Sequence, residues 1–183
     1  MGAFRDLVEA RRSVRHYLPT PVERDKILAC LETARLAPSA HNAQPWRFLV
    51  IDDPELKNGL AREAFSGIYK TTMFAAQAPV LIVILGRPDL LANRIGQVLQ
   101  GIPYMSIDIG IAGEHIALQA RELGLGTCWI GWFNYKKARR FLKVPRPYKV
   151  MAIMAMGYHE PRPPKEKKRL PLEQIAWFNH PDF

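Results

Sequence analysis

Apolar residues recur at helical spacing from the first part of the chain. Phe4, Leu7 and Val8 follow one another at i, i+3 and i+4, which is the spacing of one face of an amphipathic helix. The apolar pattern then gives way to a run of basic residues. We therefore expect this first helix to end near Arg12 or Ser13.

A second helix is predicted from a start signal and a stop signal. Thr20 with Glu23 three residues later forms a capping-box pattern, and Pro21 occupies the first helical position. Because the residue before a proline avoids the helical region, this helix should end before Pro38. Its predicted buried face contains Ile27, Leu28 and Leu31.

Short apolar runs predict four strands along the rest of the chain. They lie at residues 46–51, 79–85, 126–132 and 149–158. The second run is apolar without alternation, which is typical of a central strand covered on both faces. The strands are separated by segments with helical periodicity, so the fold class is predicted to be α+β.

Three further helices are predicted between these strands. Asp53 and Pro54 should begin the first, because an N-cap side chain followed by proline is a start signal; its inner face would be Leu56, Leu60, Ala64 and Phe65. The longest is predicted for residues 106–123 and ends at Gly124. A short one is expected at residues 135–142. The longest helix is indicated by Ile107, Ile111, His115, Leu118 and Leu123, which lie near helical spacing.

The last part of the chain has a different character. Residues 159–183 are rich in proline and basic side chains, which predicts an extended segment without a core of its own. This segment still contains Trp177 and Phe178, two large apolar side chains that a solvated tail has little reason to keep. We refer to residues 159–183 as the arm, and we expect it to dock on another surface.

Composition places the chain among single-domain proteins. Its 183 residues, 48% of them hydrophobic, suffice for one core but not for two ordinary domains, so residues 1–183 are read as one domain. No apolar run reaches the roughly 20 residues of a membrane helix, and no export signal is visible. Cys30 and Cys128 occur singly in apolar surroundings, which favours core positions in a cytoplasmic protein and predicts no metal site.

The net charge of +9 indicates an anionic ligand or partner. The basic residues concentrate in two places, residues 11–15 and residues 162–169. On charge alone a nucleic-acid-binding module is an alternative, with the arm as a charged tail. However, the cations are not interleaved with aromatic residues as in a recognisable module, and two short clusters suit a phosphate group better than a duplex.

Two segments have the residue types of a cofactor site. Arg11, Arg12, Ser13 and Arg15 place three guanidinium groups and a hydroxyl within five residues, a set that can bind a phosphate. The loop at residues 38–44 offers uncharged donors and acceptors that suit the edge of a heteroaromatic ring. Each pattern is weak alone, since a charge run is usually solvated and such a loop usually makes turn contacts. No catalytic role is assigned to His41.

Two further features are weaker still. Gly131 lies where the third strand is predicted to emerge, so its backbone N–H could approach a planar ligand closely. Gly126 is expected only to turn the chain. The basic residues of the arm could complete a phosphate pocket, but from sequence alone a solvated tail is the better interpretation.

Taken in order, these segments resemble the flavin-dependent nitroreductase family. The resemblance rests on RRSVRHY at residues 11–17, PV at 21–22, ARLAPSAHNAQPWRF at 34–48, ALQARELGLGTCWIGW at 117–132 and MGYHEPRPPKEKKRLPLEQI at 156–175. It spans nearly the whole chain. It implies a three-layer sandwich with a mainly antiparallel sheet wrapped by helices, in an intertwined homodimer that forms through the longest helix and in which the arm packs on the partner subunit.

The resemblance also implies a flavin mononucleotide (FMN) site. It assigns the phosphate, ribityl chain and pyrimidine edge of FMN to the basic segment, with the arm completing the phosphate site. It assigns the N5 side to the backbone after the longest helix. The loop at 38–44 would reach the FMN of the other subunit. The contacts implied in this way are Arg11, Arg12, Ser13, Arg15, Lys70, Ile130, Gly131, Lys167 and Arg169 from one subunit, and Pro38, Ser39, Ala40, Asn42 and Gln44 from the other.

The activity implied is that of an NAD(P)H-dependent oxidoreductase, with NADH or NADPH as the donor. FMN carries the chemistry, so no catalytic side chain is expected. The acceptor would be a small molecule such as a nitroaromatic, a quinone or a free flavin, and no nucleic acid or membrane is expected as a partner. Dehalogenation of iodotyrosine and fragmentation of flavin are related flavin activities. The lid used by the first is not evident in this sequence.

Overall fold

The computed structural model describes residues 2–88, 101–161 and 166–180. The described part contains five α-helices, which we number in chain order: α1 (Ala3–Ala10), α2 (Arg24–Arg35), α3 (Pro54–Ala64), α4 (Tyr104–Glu122) and α5 (Tyr135–Phe141). Turns of 3₁₀ helix occur at Ala40–Asn42, Gly67–Gln77 and Leu172–Gln174. None of the helices in the described ranges is long and apolar enough to cross a membrane.

The four strands form one antiparallel sheet. They are β1 (Trp46–Ile51), β2 (Val80–Gly86), β3 (Gly126–Ile130) and β4 (Lys149–Gly157), in the spatial order β1-β2-β4-β3. Each hydrogen-bonded pair runs antiparallel. The segment after α1 runs beside the outer edge of β3, where Ser13 forms a parallel bridge with Thr127. The predicted antiparallel sheet is therefore confirmed.

Helices cover both faces of the sheet. One core packs the even-numbered residues of β2 against α2 and α4, and includes Ile27, Ile82, Ile116 and Met154. The other packs the odd-numbered residues of β2 against α3 and α5, and includes Leu60, Phe65, Leu81 and Val83. Because successive strand residues point to opposite faces, a strand buried on both sides shows no alternation. The structure is a three-layer sandwich, as predicted.

The start of α3 follows from two adjacent residues. Pro54 occupies the first helical position, and the Asp53 side chain accepts a hydrogen bond of 2.7 Å from the backbone N–H of Leu56. This bond satisfies one of the donors that a helix leaves unpaired at its N-terminus. The predicted helix start is confirmed, although the predicted inner-face residue Leu56 is 41% exposed.

Replacing Asp53 with Ala should lower the free energy of unfolding by about 1 kcal/mol, because the cap hydrogen bond is lost. The neighbouring Asp52→Ala is the matched control, since Asp52 only forms an exposed ion pair with Arg24 at 3.3 Å; such pairs contribute little. Urea denaturation of both variants measures the difference. Equal midpoints for the two would contradict a capping role of Asp53.

Two predicted helix boundaries were wrong. Helix α2 begins at Arg24, with Glu23 as the N-cap residue, and Thr20 is not its cap. The Glu23 carboxylate instead accepts a 2.7 Å hydrogen bond from the Tyr158 hydroxyl, and the backbone N–H of Leu18 donates to the Tyr158 carbonyl. These contacts hold the segment before α2 extended. Helix α1 ends at Ala10, so the basic segment follows the helix and is not part of its last turn.

The apolar spacing predicted along α4 corresponds only partly to its buried face. That face combines four small residues, Ala112, Gly113, Ala117 and Ala120, with Asp108, Ile109 and Ile116. The small side chains allow the helix to lie close to the sheet, and a Cβ atom at Gly113 would be 2.2 Å from the Trp129 ring. Of the residues at the predicted spacing, Ile111 and Leu123 are half-buried against the core, whereas Ile107 is 49% exposed.

The described part of the arm, residues 159–161 and 166–180, lies on the surface. Its apolar side chains are exposed, among them Leu170 (63%), Leu172 (67%) and Ile175 (58%). Trp177 and Phe178, which the sequence suggested as anchors, are 38% and 93% exposed in the single chain. The arm is thus an extended segment that presents apolar groups outward, and its packing on a partner stays a prediction.

Candidate functional site

Two basic segments that are distant in sequence meet in one groove. Arg11 and Arg12 line it from the segment after α1, and Lys167 and Arg169 line it from the arm. The groove has a volume of about 620 Å³ and is completed by Val8, Glu9, Glu114 and Glu166. Arg162 and Lys165, which belong to the second cluster in the sequence, lie outside the described residues. The arm is therefore not a separate tail, because it shares this groove with the first cluster.

A direct hydrogen bond attaches the arm to the first helix. The Lys167 ammonium donates to the backbone carbonyl of Val8 at 2.7 Å, a carbonyl in the last turn of α1 that lacks a helical partner. Burial, and then the positive charges of Arg11, Arg12 and Arg169, lower the pKa of Lys167 below its usual range. The like charges in the groove repel one another, and a bound anion would relieve this repulsion.

Three carboxylates in the groove, Glu9, Glu114 and Glu166, partly balance this charge. Glu114, on α4, forms an ion pair of 3.1 Å with the Nε of Arg11, whose side chain is 20% exposed. Because a guanidinium has five donors, Arg11 can keep this pair and still donate to a phosphate. Sequence analysis missed Glu114.

Backbone contacts fix the rest of the basic segment. The N–H of Val14 donates to the carbonyl of Thr127 at 2.9 Å, and the Tyr17 hydroxyl donates to the carbonyl of Val14 at 2.7 Å. Burial raises the pKa of Tyr17 well above its usual range, which keeps this hydroxyl protonated. Gly126 has a further role here, since a Cβ atom at this position would be 2.5 Å from the Val14 side chain. The close approach, more than the turn, requires glycine.

The segment and β3 lead to a second polar region at the end of the sheet. Ile130 is the last, buried residue of β3, and Gly131 is exposed with open space beside its Cα. Arg15 is exposed, and its guanidinium lies 5.8 Å from the centre of the Phe74 ring. Phe74 belongs to the 3₁₀ run Gly67–Gln77, which packs beside the end of β3. Arg15, Ile130 and Gly131 are thus grouped around this run.

Lys70 lies on the same 3₁₀ run and its side chain is exposed. The run is held against the end of β3 by Thr72, whose hydroxyl donates to the carbonyl of Trp132 at 3.1 Å, and by the indole N–H of Trp132, which donates to the carbonyl of Ile68 at 3.1 Å. The structure therefore places Lys70 in the same region as Gly131. Whether its ammonium reaches a ligand stays a prediction.

The loop at residues 38–44 is strongly constrained. His41, Asn42 and Gln44 all have positive φ, at 51°, 54° and 44°, a region that non-glycine residues rarely adopt. The Ser39 hydroxyl accepts from the N–H of Gln44 at 3.0 Å, and the Gln44 amide donates to the Asn42 side-chain oxygen at 3.0 Å. The N–H of Ala40 donates to Asp108 of α4, also at 3.0 Å. Pro38 is exposed at the start of the loop.

Within one chain this loop and the basic groove do not meet. The loop packs near the N-terminal part of α4 through Asp108, whereas the groove includes Glu114 from the same helix, and none of the described residues lining the groove belongs to the loop. The predicted contacts of residues 38–44 therefore need a second copy of the chain if they belong to the same ligand. Asp108, which holds the loop, was not found from the sequence.

Comparisons with known proteins identify the family. The sequence matches the model of the nitroreductase family over residues 8–73 and 69–158. The chain belongs to the nitroreductase family. This assignment confirms the resemblance drawn from the motifs and the enzyme class that it implied.

Solved structures and a curated relative agree with this nitroreductase assignment. A nitroreductase family protein from Clostridium difficile 630 is 32% identical, and the match covers 98% of this chain and 99% of that one with a TM-score of 0.81. An FMN-dependent nitroreductase from Clostridium difficile R20291 is 31% identical over 95% and 98% of the two chains, with a TM-score of 0.77. An NADH dehydrogenase from Thermus thermophilus is 28% identical over 91% of each protein.

Proposed function

We propose that this nitroreductase binds FMN and uses NAD(P)H to reduce a small-molecule acceptor. The observation that carries the proposal is the convergence of Arg11, Arg12, Lys167 and Arg169 in one groove. Guanidinium and ammonium groups form strong, charge-assisted hydrogen bonds to phosphate oxygens. The groove therefore suits the phosphate of FMN, and the FMN-dependent nitroreductase with a similar fold supports the same ligand.

The donor set fits the two ends of FMN differently. The four cations at the groove outnumber its three carboxylates and can donate to a phosphate, and Ser13, which is exposed next to Arg12, adds a neutral donor. Arg15 lies further along this segment, in the region of Gly131 and Lys70, where a positive charge would suit the pyrimidine edge and stabilise the anionic reduced ring. Gly131 has open space beside its backbone, so its N–H can approach a flat ring closely.

The chemistry that bound FMN supplies is acceptance of hydride at N5 from NAD(P)H and reduction of an acceptor, such as a nitroaromatic, a quinone or a free flavin, in a ping-pong cycle. The protein's residues then have three tasks: to bind the phosphate, to hold the ring edge and to leave one ring face open. No side-chain acid or nucleophile is needed for these tasks.

A homodimer is part of the proposal. The loop at 38–44 and the groove are separated within one chain, so they can share an FMN only across an interface. Two apolar surfaces suit that interface: the face of α4 with Ile107, and the outward side of the arm with Leu172 and Ile175. Large apolar side chains that are exposed on the single chain are candidates for burial at such an interface.

An absorption spectrum of the purified protein is the first test. Bands of oxidised flavin near those of free FMN, bleached by NADH or NADPH under anaerobic conditions, would support the proposal. A colourless protein that takes up no added FMN but binds nucleic acid in a salt-sensitive manner would instead support the alternative of a basic binding module.

Replacing Arg11 with Ala should weaken FMN binding by about 1.5–3 kcal/mol, because a phosphate contact of charged groups is lost. The loss should be at the upper end, since Glu114 would then be left without the cation that pairs with it. Arg24→Ala is the matched control: Arg24 is exposed and lies outside the groove, paired with Asp52 at 3.3 Å. Fluorescence titration of the apoproteins with FMN measures both. Equal affinities would refute the assignment of Arg11.

A further inference from the structure

Apart from the groove of Arg11, the structure has a basic cavity beside the loop at 38–44. It has a volume of about 700 Å³, and its lining includes four arginines and one lysine: Arg47, Arg87, Arg139, Arg146 and Lys149. No acidic residue is among the described residues that line it. These five residues define what we call the basic cavity, and it shares no residue with the groove of Arg11.

Strand register explains why these cations meet. Trp46 of β1 pairs with Gly86 of β2, and Gly86 pairs with Lys149 of β4. The start of β1, the end of β2 and the start of β4 therefore bring Arg47, Arg87 and Lys149 to the same end of the sheet. Residues from α5 and from the loop after it, Arg139 and Arg146, supply the remaining charge.

The charge in this cavity is not balanced within the described chain. The ion pairs found among the described residues include none of the five cations. Two of the five are held by backbone carbonyls instead: Arg47 donates to Gln44 at 3.1 Å and Arg139 donates to Val144 at 3.2 Å. Five like charges around one concave space repel one another, and this arrangement is stabilised by a ligand with at least two negative charges.

The position of the cavity indicates which anion it takes. Ala43 and Gln44 line the cavity, and Gln44 belongs to the loop that is proposed to contact the FMN of the partner subunit. If NADH or NADPH places its nicotinamide on the flavin ring, its adenosine end can therefore lie next to the cavity. The guanidinium groups of the arginines favour phosphate, because they can form two parallel hydrogen bonds to it. Tyr148 adds an aromatic side chain to the lining. The volume of the cavity lies in the range of sites for nucleotides and drug-sized ligands.

We propose that the basic cavity binds the adenosine end of NADPH through its 2′-phosphate and so makes the enzyme select the phosphorylated donor. This inference rests on the proposed function, because the donor is placed by its nicotinamide ring on the FMN. The cavity would determine the choice between NADPH and NADH, and it is separate from the groove proposed for the FMN phosphate.

The test combines a binding probe with kinetics. The double variant Arg87→Gln/Lys149→Gln removes two charges from the cavity whose side chains form no ion pair with described residues. The matched control is Lys136→Gln/Arg140→Gln, which removes two exposed charges from α5 outside the lining. Adenosine 2′,5′-bisphosphate is titrated by calorimetry into each FMN-loaded protein, with 5′-AMP and inorganic phosphate as comparison ligands. The KM values for NADPH and NADH are then measured.

We expect the bisphosphate to bind the wild type, to compete with NADPH and to bind more tightly than 5′-AMP or phosphate. The double variant should weaken bisphosphate binding and raise the KM for NADPH by about tenfold or more, as expected for lost charge-assisted hydrogen bonds. The KM for NADH should change less, and the control should resemble the wild type.

Three outcomes would overturn the inference: no binding of the bisphosphate to the wild type, equal binding by the double variant and the control, or equal binding of inorganic phosphate and the bisphosphate. If FMN is bound and NADPH reduces it while any of these holds, the proposed function stands and only the cavity assignment fails. If the protein takes up no FMN, the proposed function fails, whereas the same calorimetric titration into the FMN-free protein still reports on the cavity.

Discussion

Truncation of the chain after Pro161 is expected to reduce FMN affinity by about 100-fold or more and to weaken the dimer at the same time. The deletion removes Lys167 and Arg169 from the groove, and each charged contact contributes about 1.5–3 kcal/mol. It also removes the exposed apolar side chains of the arm. Tyr158 is kept, because its contacts with Leu18 and Glu23 belong to the fold.

Two smaller variants separate the two effects of this truncation. Lys167→Gln/Arg169→Gln should weaken FMN binding and leave the dimer unchanged, whereas Leu172→Ala/Ile175→Ala should weaken the dimer first. Sedimentation velocity and flavin titration of all three proteins give the comparison. If the truncated protein is a stable dimer that binds FMN as tightly as the full chain does, the arm contributes neither to FMN affinity nor to dimer stability.

Replacing Gly113 with Val should lower the free energy of unfolding by about 3 kcal/mol. A Cβ at this position would be 2.2 Å from Cη2 and 2.3 Å from Cζ2 of Trp129, so α4 or the indole must move, and overpacking of this kind costs about 1–3 kcal/mol or more. The branched side chain increases the overlap.

A compensating substitution checks the physical cause. Trp129→Leu in the Gly113→Val background should recover part of the lost stability, because the smaller side chain makes room for the added methyl groups. Chemical denaturation of the wild type, both single variants and the double variant gives the interaction free energy between the two positions. Strict additivity of the two single effects would mean that the contact between α4 and Trp129 is not the cause.

Local signals predicted the elements well where one residue decides the backbone. Asp53 and Pro54 set the start of α3, and Gly124, with φ of 80°, follows the end of α4. The capping box at Thr20 failed because a partner far along the chain, Tyr158, takes the Glu23 carboxylate. A short-range pattern contains no information about such a competitor.

The spacing along α4 was only partly informative, for a different physical reason. Periodicity indicates which residues share a helix face but not how deeply each is buried: Ile111 and Leu123 pack against the core, whereas Ile107 is half exposed. The most buried face combines Ile109 and Ile116 with small residues such as Gly113, which bring the helix close to Trp129. Alanine and glycine carry little signal in an apolar pattern, so this face was not evident from the spacing.

The candidate site depended on family resemblance more than on residue patterns. From composition alone, Lys167 and Arg169 were better interpreted as a solvated tail, and only the resemblance joined them to Arg11. The structure places them in one groove. The basic cavity could not be predicted at all, because its cations come from separate elements and meet only through strand register.

The positive φ angles in the loop at 38–44 affect the entropy that a ligand would lose on binding there. Each non-glycine residue with positive φ costs folding free energy, and His41, Asn42 and Gln44 incur that cost within four residues. Hydrogen bonds from the backbone N–H groups of Ala40 and Gln44 to Asp108 and Ser39 fix the loop backbone around them. The entropy of ordering this backbone is therefore lost during folding, and a ligand that docks against the loop would not have to order it again.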